Sequence, residues 1–216
     1  MIERQLILNT RMVQESMQNR KPMVLVMAGP NGSGKSTITS FFKKIGMYTN
    51  ADDVVAAAGM SNEAAAILVD KMRYDSIDKR EDFTFETVLS SEYKLEILRA
   101  AKEAGYFIKC VFVLTNDPNV NVKRVESRAA SGGHAVKPDK IISRYYKSLN
   151  NVKELMDLCD ILHVYDNTDK PYRIIRKHKE EITLFENQYW DSESILQLMS
   201  GNISSDSCVS KSSVFD

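Results

Sequence analysis

The nine residues from Gly29 to Thr37 constrain the fold of this chain more than any other feature. They match the pattern G-x-x-x-x-G-K-[ST] and follow an apolar run at residues 23–28. A strand that leads into a glycine-rich turn and then into a helix is the context in which this pattern forms a phosphate-binding loop. Glycines let backbone N–H groups close around phosphate oxygens, and the start of the helix favours negative charge. The residues predicted to bind phosphate are Gly29, Pro30, Asn31, Gly32, Ser33, Gly34, Lys35, Ser36 and Thr37.

Two side chains of this loop have predicted roles of their own. Lys35 is expected to reach the β- and γ-phosphates of a nucleotide, and the Ser36 hydroxyl is expected to hold Mg²⁺. The chain has no Asn-Lys-x-Asp motif of the kind that reads guanine, which favours ATP over GTP. The sequence therefore predicts ATP and Mg²⁺ as cofactors.

Composition limits the classes of protein to which the chain can belong. Its 216 residues are 43% hydrophobic and 27% charged, which suits a globular domain with a sizeable core. The formal net charge is zero, so no global field draws the chain to nucleic acid or to an anionic membrane. No apolar run approaches about 18 residues and the N-terminus lacks a signal-peptide pattern. Cys110, Cys159 and Cys208 show no metal-binding spacing, which is typical of a reduced, cytoplasmic protein.

Apolar patterning predicts strands that alternate with helices. This order favours an α/β fold with a mainly parallel sheet and helices on both faces. We expect one domain over residues 1–200 with an N-terminal helix within residues 1–21, followed by a disordered Ser-rich tail at 201–216. The predicted strands are 23–28, 47–50, 83–89, 107–114 and 161–165, with a hairpin at 172–176 and 182–185. The predicted helices are 34–45, 61–80, 91–104, 117–131, 138–158 and 191–199.

Carboxylates follow two of the predicted strands. Asp52 comes after the second strand and Glu86 lies at the end of the third. Ligands of open α/β sheets bind beyond the carboxyl ends of the strands. A carboxylate there can accept the proton of an attacking hydroxyl or join the shell of Mg²⁺. The alternatives are that Asp52 or Asp53 caps the next helix and that Glu86 faces solvent.

Basic side chains cluster on two neighbouring predicted helices. Arg124 and Arg128 stand one turn apart on the first helix, and Lys140 and Arg144 stand one turn apart on the second. The glycine-rich residues 131–138 between them suggest a mobile lid over residues 123–147. Arginines brought in by lid closure stabilise a transferring phosphoryl group. The alternative is a solvated basic face, and the sequence does not decide between Arg124 and Arg128.

Taken in order, these motifs resemble the zeta-toxin-like family of P-loop kinases, which includes members described as predicted ABC-type ATPases or kinases. The resemblance covers about residues 22–168 and depends on the order and spacing of motifs that are individually unspecific. The stretches that carry it are the phosphate loop, Asn50 to Asp52, Phe83 to Thr87, Arg128 to His134, Arg144 to Leu149 and Tyr165 to Asn167.

The resemblance implies a nucleotide-kinase-like core with a helical lid that transfers phosphate from ATP with Mg²⁺ to a hydroxyl of a small molecule. It implies that Asp52 is the catalytic base, with Lys35, Arg128 and Arg144 stabilising the phosphates. The implied substrate-binding residues are Asn50, Glu86, Thr87 and His134. Zeta toxins phosphorylate UDP-N-acetylglucosamine, so a UDP-sugar is the implied acceptor. The Gly-Gly-His lid departs from the pattern of the toxins, which leaves that acceptor open.

Other functions remain open on the same core. A nucleic-acid end kinase needs a basic strip, and zero net charge argues against it. A non-kinase ATPase or nucleotide switch is the other alternative. No apolar strand ending in Asp-Glu follows Ser131 to His134, which argues against a transport ATPase. The expected partners are a small-molecule acceptor and, by resemblance, an antitoxin protein, without nucleic acid or membrane.

Overall fold

The computed structural model describes residues 20–132 and 135–204. The strands are β1 (Met23–Ala28), β2 (Met47–Thr49), β3 (Phe83–Thr87), β4 (Phe107–Leu114), β5 (Ile161–Asp166), β6 (Tyr172–His178) and β7 (Glu181–Leu184). The helices are α1 (Lys35–Thr39), α2 (Ala51–Ala58), α3 (Asn62–Asp78), α4 (Glu92–Glu103), α5 (Pro118–Ala130), α6 (Pro138–Asn150), α7 (Val152–Leu158) and α8 (Ser192–Ser200). The predictions for residues 1–19, for His134 and for residues 205–216 lie outside the described residues.

The strands form one sheet in the order β2-β3-β1-β4-β5-β6-β7. The first five strands are parallel, and β6 and β7 add an antiparallel hairpin at one edge. Because β1 lies between β3 and β4, the loop that follows β1 emerges at the point where the strand order reverses. This is where open α/β sheets bind their ligands. The predicted fold class, a mainly parallel sheet with helices on both faces, is confirmed.

Successive residues of β1 are buried on opposite faces of the sheet. Val24 and Val26 belong to the larger core, which the apolar sides of α4, α6, α7 and α8 complete. Leu25 and Met27 belong to a smaller core with Ile38 of α1. A strand that is buried on both faces has a continuous run of apolar residues, which is why β1 could be predicted from the sequence.

Two predicted helices differ from the observed ones. The helix after the phosphate loop ends at Thr39 rather than at Ile45, because the backbone of Ile45 is bonded to β3. The Ile45 N–H donates to Thr84 Oγ1 at 2.8 Å, and the Thr84 hydroxyl donates to the Ile45 carbonyl at 2.7 Å. The helix predicted for 138–158 is interrupted at Asn151, whose Nδ2 donates to the Leu89 carbonyl at 2.9 Å. Both breaks depend on partners distant in sequence.

The ends of the domain and one helix also differ from prediction. Helix α2 was not predicted, and Arg20 and Lys21 are not helical. The prediction that the tail starts at residue 201 is wrong for Ile203, which is buried and whose backbone Asn150 holds through two hydrogen bonds. Among the described residues, no helix combines the length and apolar character needed to cross a bilayer.

Candidate active site

The phosphate loop requires glycine where it approaches the rest of the fold. Gly29 has a φ of +141°, and a Cβ there would lie 2.0 Å from the carbonyl oxygen of Val113 on β4. Gly34 has a φ of +83°, and a Cβ there would lie 2.1 Å from Nδ2 of Asn167. Both the backbone conformation and the available space exclude a side chain at these positions. The loop is therefore fixed in place by its close packing against β4 and the end of β5.

Two buried asparagines hold the loop from outside. Asn121 Nδ2 donates to the Asn31 carbonyl at 2.6 Å, and Asn167 Nδ2 donates to the Ser33 carbonyl at 2.9 Å. These bonds occupy carbonyl groups of the loop and use none of its N–H groups, which are the donors that phosphate oxygens need. Asn121 was not predicted as a site residue, because nothing in the local sequence distinguishes it from other polar residues of α5.

Lys35 lies at the centre of the charged groups of the site. Its Nζ donates to the carbonyls of Gly29 at 3.0 Å and Pro30 at 3.3 Å. Burial lowers the pKa of Lys35, the carboxylates of Glu86 and Asp52 oppose that change, and Arg128 adds to it. The lysine, the two carboxylates and the lid arginine are therefore close enough to interact.

One cavity of about 570 Å³ brings most of the predicted site residues together. It extends from the phosphate loop across the ends of β2 and β3 to α5 and α6. The predicted residues on its wall are Asn31, Gly32, Lys35, Asn50, Asp52, Glu86, Thr87, Arg128 and Arg144. Gly29, Pro30, Ser33, Gly34, Ser36 and Thr37 belong to the loop but do not line this cavity, and Ser36 and Thr37 are exposed at the start of α1.

Asn50, rather than Asp52 or Asp53, caps helix α2. Its side-chain oxygen accepts a hydrogen bond from the Asp52 N–H at 3.1 Å. The alternative in which Asp52 serves as the helix cap is therefore wrong. The Asp52 carboxylate is exposed on the cavity wall, where it can meet a ligand.

Glu86 is half-buried on the cavity wall, so the alternative of a solvent-facing strand residue is wrong. The Tyr48 hydroxyl donates to Glu86 Oε2 at 3.3 Å. Burial and the Glu86 charge raise the pKa of Tyr48 to about 12, so the phenol keeps its proton at neutral pH. Tyr48 therefore remains a hydrogen-bond donor and orients the Glu86 carboxylate.

A buried ion-pair network, which the sequence analysis missed, closes the far side of the cavity. Arg73 is 1% exposed, and it donates through Nη1 to Asp70 at 2.8 Å and through Nε to Thr49 Oγ1 at 2.9 Å. Lys94 on the cavity wall binds the same Asp70 at 2.7 Å. The guanidinium of Arg73 also lies over the ring of Phe85, 4.5 Å from its centroid. The network ties the ends of β2 and β3 to the start of α4.

The two arginines of α5 have different surroundings. Arg128 lines the cavity with Arg144, whose Nη1 lies 3.5 Å from Asn31 Oδ1 of the phosphate loop. Arg124 instead donates to the carbonyls of Asn167 at 2.9 Å and Thr168 at 2.8 Å. Of the two candidates, Arg128 is the one that faces the cavity.

In the described part of the chain, no group of three or more His, Cys, Asp or Glu side chains is arranged so that it could hold a metal ion.

Comparison with known proteins agrees with this geometry. Residues 46–180 match the family model described as zeta toxin, and the phosphate loop lies just before that range. An uncharacterized protein of Haemophilus influenzae is 28% identical over 136 residues, which are 60% of this chain and 94% of that protein.

Two solved structures share the fold at low sequence identity. The AvrRxo1-ORF1:AvrRxo1-ORF2 complex, solved with sulphate ions and with ATP, has a TM-score of 0.65 at 13% identity and covers 88% of this chain and 67% of the other. The PezAT toxin–antitoxin system of Streptococcus pneumoniae has a TM-score of 0.54 at 15% identity and covers 85% of each chain. With the family model matching more than half of its length, this chain belongs to the zeta toxin family.

Proposed function

We propose that this protein is an ATP- and Mg²⁺-dependent phosphotransferase that phosphorylates a hydroxyl group of a small anionic molecule. The observation that carries this proposal is the single cavity in which Lys35 of the phosphate loop faces Asp52 and Glu86, with Arg128 and Arg144 on the lid side. Phosphoryl transfer needs positioning and charge stabilisation more than covalent chemistry by the protein, and these groups supply both.

The nucleotide half of the site fits ATP. The glycine backbone leaves space for phosphate oxygens, and Lys35 is placed to reach them. Nη1 of Arg124 lies 3.9 Å from the Cβ position of Gly34, so the guanidinium that holds the Asn167–Thr168 backbone lies beside the loop. The AvrRxo1-ORF1 complex, which shares the fold, was solved with ATP. Mg²⁺ would be held by the Ser36 hydroxyl and would offset the charge of the phosphates.

Each remaining group has a defined task. Asp52 accepts the proton of the acceptor hydroxyl as that oxygen attacks the γ-phosphorus, because its carboxylate is exposed to the cavity and is not used as a helix cap. Glu86, oriented by Tyr48, holds the acceptor. Arg128 and Arg144 stabilise the negative charge on the transferring group.

The charge of the cavity favours an acceptor that is itself anionic. The cationic side chains on its wall are Lys35, Arg73, Lys94, Arg128, Lys137, Lys140 and Arg144, whereas the carboxylates among the described residues there are Asp52 and Glu86. Arg73 and Lys94 share the Asp70 carboxylate, and the other five cations still outnumber the two carboxylates. Tyr93, which is 53% exposed, stands beside Lys94 with Nζ 5.0 Å from its ring centroid. A UDP-sugar such as UDP-N-acetylglucosamine combines a diphosphate with a planar base and fits this surface, so it is the acceptor we propose.

The PezAT system supports an antitoxin protein as a partner of this chain. The expected consequence is that expression of the chain alone slows growth, and that co-expression of its antitoxin restores it. Unchanged growth with active enzyme present would remove the partner from the proposal without affecting the phosphotransferase activity.

Transfer of labelled phosphate tests the reaction directly. The protein is incubated with Mg²⁺ and γ-labelled ATP against sugar nucleotides, nucleosides and oligonucleotides, with Lys35→Ala as the inactive control. Label on a UDP-sugar would support the full proposal, and label on another small molecule would replace the acceptor. Label on oligonucleotide ends would favour a nucleic-acid end kinase, and ATP hydrolysis without transfer would favour a nucleotide switch.

A further inference from the structure

The face of the sheet that carries α1 also carries a group of basic side chains outside the cavity. Lys109 on β4 pairs with Leu25, which belongs to the smaller core, and His163 on β5 pairs with Val111 of that core. On β6, Arg176 lies directly opposite His163. We call Lys109, His163, Arg173, Arg176 and His178 the basic sheet cluster. None of these residues lines the cavity of the proposed active site.

An irregularity in β6 places two arginines on this face. Side chains of a strand alternate between faces, so Arg173 and Arg176, three residues apart, would normally point to opposite sides. The register shifts between Val164 and Tyr165, so Arg176 lies opposite His163 while Arg173 lies opposite Tyr165. The extra residue, Ile174, is fully buried in the larger core. Bulges re-aim side chains in this way, and here the effect is to gather positive charge.

Two buried polar atoms of the cluster have no partner among the described residues. They are Nε of Arg173, which is a donor, and Nδ1 of His163. A buried polar atom without a hydrogen bond is destabilising, so most such atoms in proteins have a partner, either in the protein or in a bound molecule. The guanidinium carbon of Arg173 lies 5.4 Å from the centroid of the Phe185 ring, and a ring face is a much weaker acceptor for an N–H group than an oxygen.

The charges that face His163 come from three strands. The pKa of His163 is lowered to about 4 by burial, which is the largest cause, and then by the charges of Arg173, Lys109, Arg176 and His178 in that order. The carboxylate that β7 contributes to this face is Glu181, which pairs with His178 at the end of the hairpin. Positive charge therefore dominates around the two unpartnered atoms.

We infer that the basic sheet cluster is a second anion-binding site, which takes one phosphate-class oxyanion between Arg173, Arg176 and Lys109. A phosphate oxygen satisfies Nε of Arg173, and guanidinium groups suit phosphate because their planar donors match two of its oxygens. A phosphate that carries a proton can also donate to Nδ1 of His163. The same chemistry is presented by free inorganic phosphate and by the phosphate group of a nucleotide.

The protonation of His163 gives a readout that is independent of catalysis. A nearby anion favours the charged imidazolium, so binding should raise the pKa of His163 from about 4 toward its ordinary value of about 6.5. Protein NMR of the full chain, with the ring resonance assigned by His163→Gln, follows this titration as inorganic phosphate is added. Sodium chloride at matched ionic strength is the control for general screening.

Substitutions locate the site. Arg176→Gln removes an exposed cation of the cluster without disturbing the core and is expected to weaken phosphate binding by about tenfold. Lys147→Gln makes the same charge change at an exposed position of α6 and is expected to leave binding unchanged. ATP added to the Lys35→Ala variant shows whether a nucleotide phosphate is accepted as well as free phosphate.

The site is supported if phosphate, but not chloride, raises the pKa of His163 and if only Arg176→Gln weakens that effect. It is overturned if chloride acts equally, if the His163 resonance does not respond to phosphate or ATP, or if both variants behave alike. None of these outcomes depends on the proposed phosphotransferase activity.

Discussion

The phosphate loop and the opposite wall of the same cavity are built in contrasting ways. The loop is nine consecutive residues, held by close packing of glycine backbone against Val113 and Asn167. The opposite wall is assembled from Asp70, Arg73 and Lys94, which come from two helices and are joined by charge. The first arrangement leaves a pattern in the sequence, and the second exists only once the chain has folded.

This contrast has a functional side. A tightly packed loop presents the same backbone groups to any nucleoside triphosphate, so it does not distinguish one nucleotide from another. In the proposed reaction the opposite wall would contact the acceptor, and Lys94 lies on that wall. We therefore expect substitutions in the loop to abolish the reaction, and substitutions in the opposite wall to change mainly which acceptor is used and how tightly.

The largest effect is expected for Lys35→Ala. Loss of a cation that faces the transferring phosphate should reduce phosphate transfer by about 10³–10⁵-fold. Because Lys35 Nζ donates to the Gly29 and Pro30 carbonyls, circular dichroism and thermal unfolding should accompany the label-transfer assay. Retention of transfer in a folded variant would show that the loop lysine does not contact the phosphates.

A smaller but still large loss is expected for Asp52→Asn. An amide cannot accept the proton of the acceptor hydroxyl, so turnover should fall by about 10²–10⁴-fold while ATP binding, measured by calorimetry, is preserved. Asp53→Asn is the matched control, since Asp53 is exposed, adjacent and absent from the cavity wall. Equal losses in both variants would indicate an effect on helix α2 instead of on proton transfer.

The sequence was sufficient for features whose cause is local. Three features depend on neighbouring residues and were predicted correctly: the strand, turn and helix order at residues 23–39, the buried strand β4 and the N-terminal proline of α5. The short helix α1 and the break at Asn151 were not, because Thr84 and Leu89 supply the hydrogen bonds that cause them. Arg73 was missed for the same reason, since its partner groups come from three separate elements.

Substitutions of Arg128 and Arg124 test which of the two arginines acts on the transferring phosphoryl group. Arg128→Ala should lower kcat by about 10²-fold, because it removes a cation from the developing negative charge. Arg124→Ala should instead raise the KM for ATP, because Arg124 holds the Asn167–Thr168 backbone beside the loop. Steady-state kinetics at varied ATP separates the two effects. If Arg124→Ala lowers kcat as strongly as Arg128→Ala, the assignment of the lid arginine must be reversed.

The smallest effect is expected on the wall opposite the loop, where Lys94→Gln removes one charge from the acceptor's side of the cavity. Lys94 shares Asp70 with Arg73, so Asp70 keeps its buried ion pair with Arg73 in this variant and the fold should be retained. One charge-assisted hydrogen bond corresponds to about a tenfold change in affinity, so the KM of the acceptor should rise by about tenfold with little change in kcat. Lys71→Gln is the matched control, because Lys71 is exposed on α3 and does not line the cavity. A fall in kcat without a change in the KM of the acceptor would mean that Lys94 acts on the transferring phosphate. The division of the cavity into a nucleotide half and an acceptor half would then be wrong.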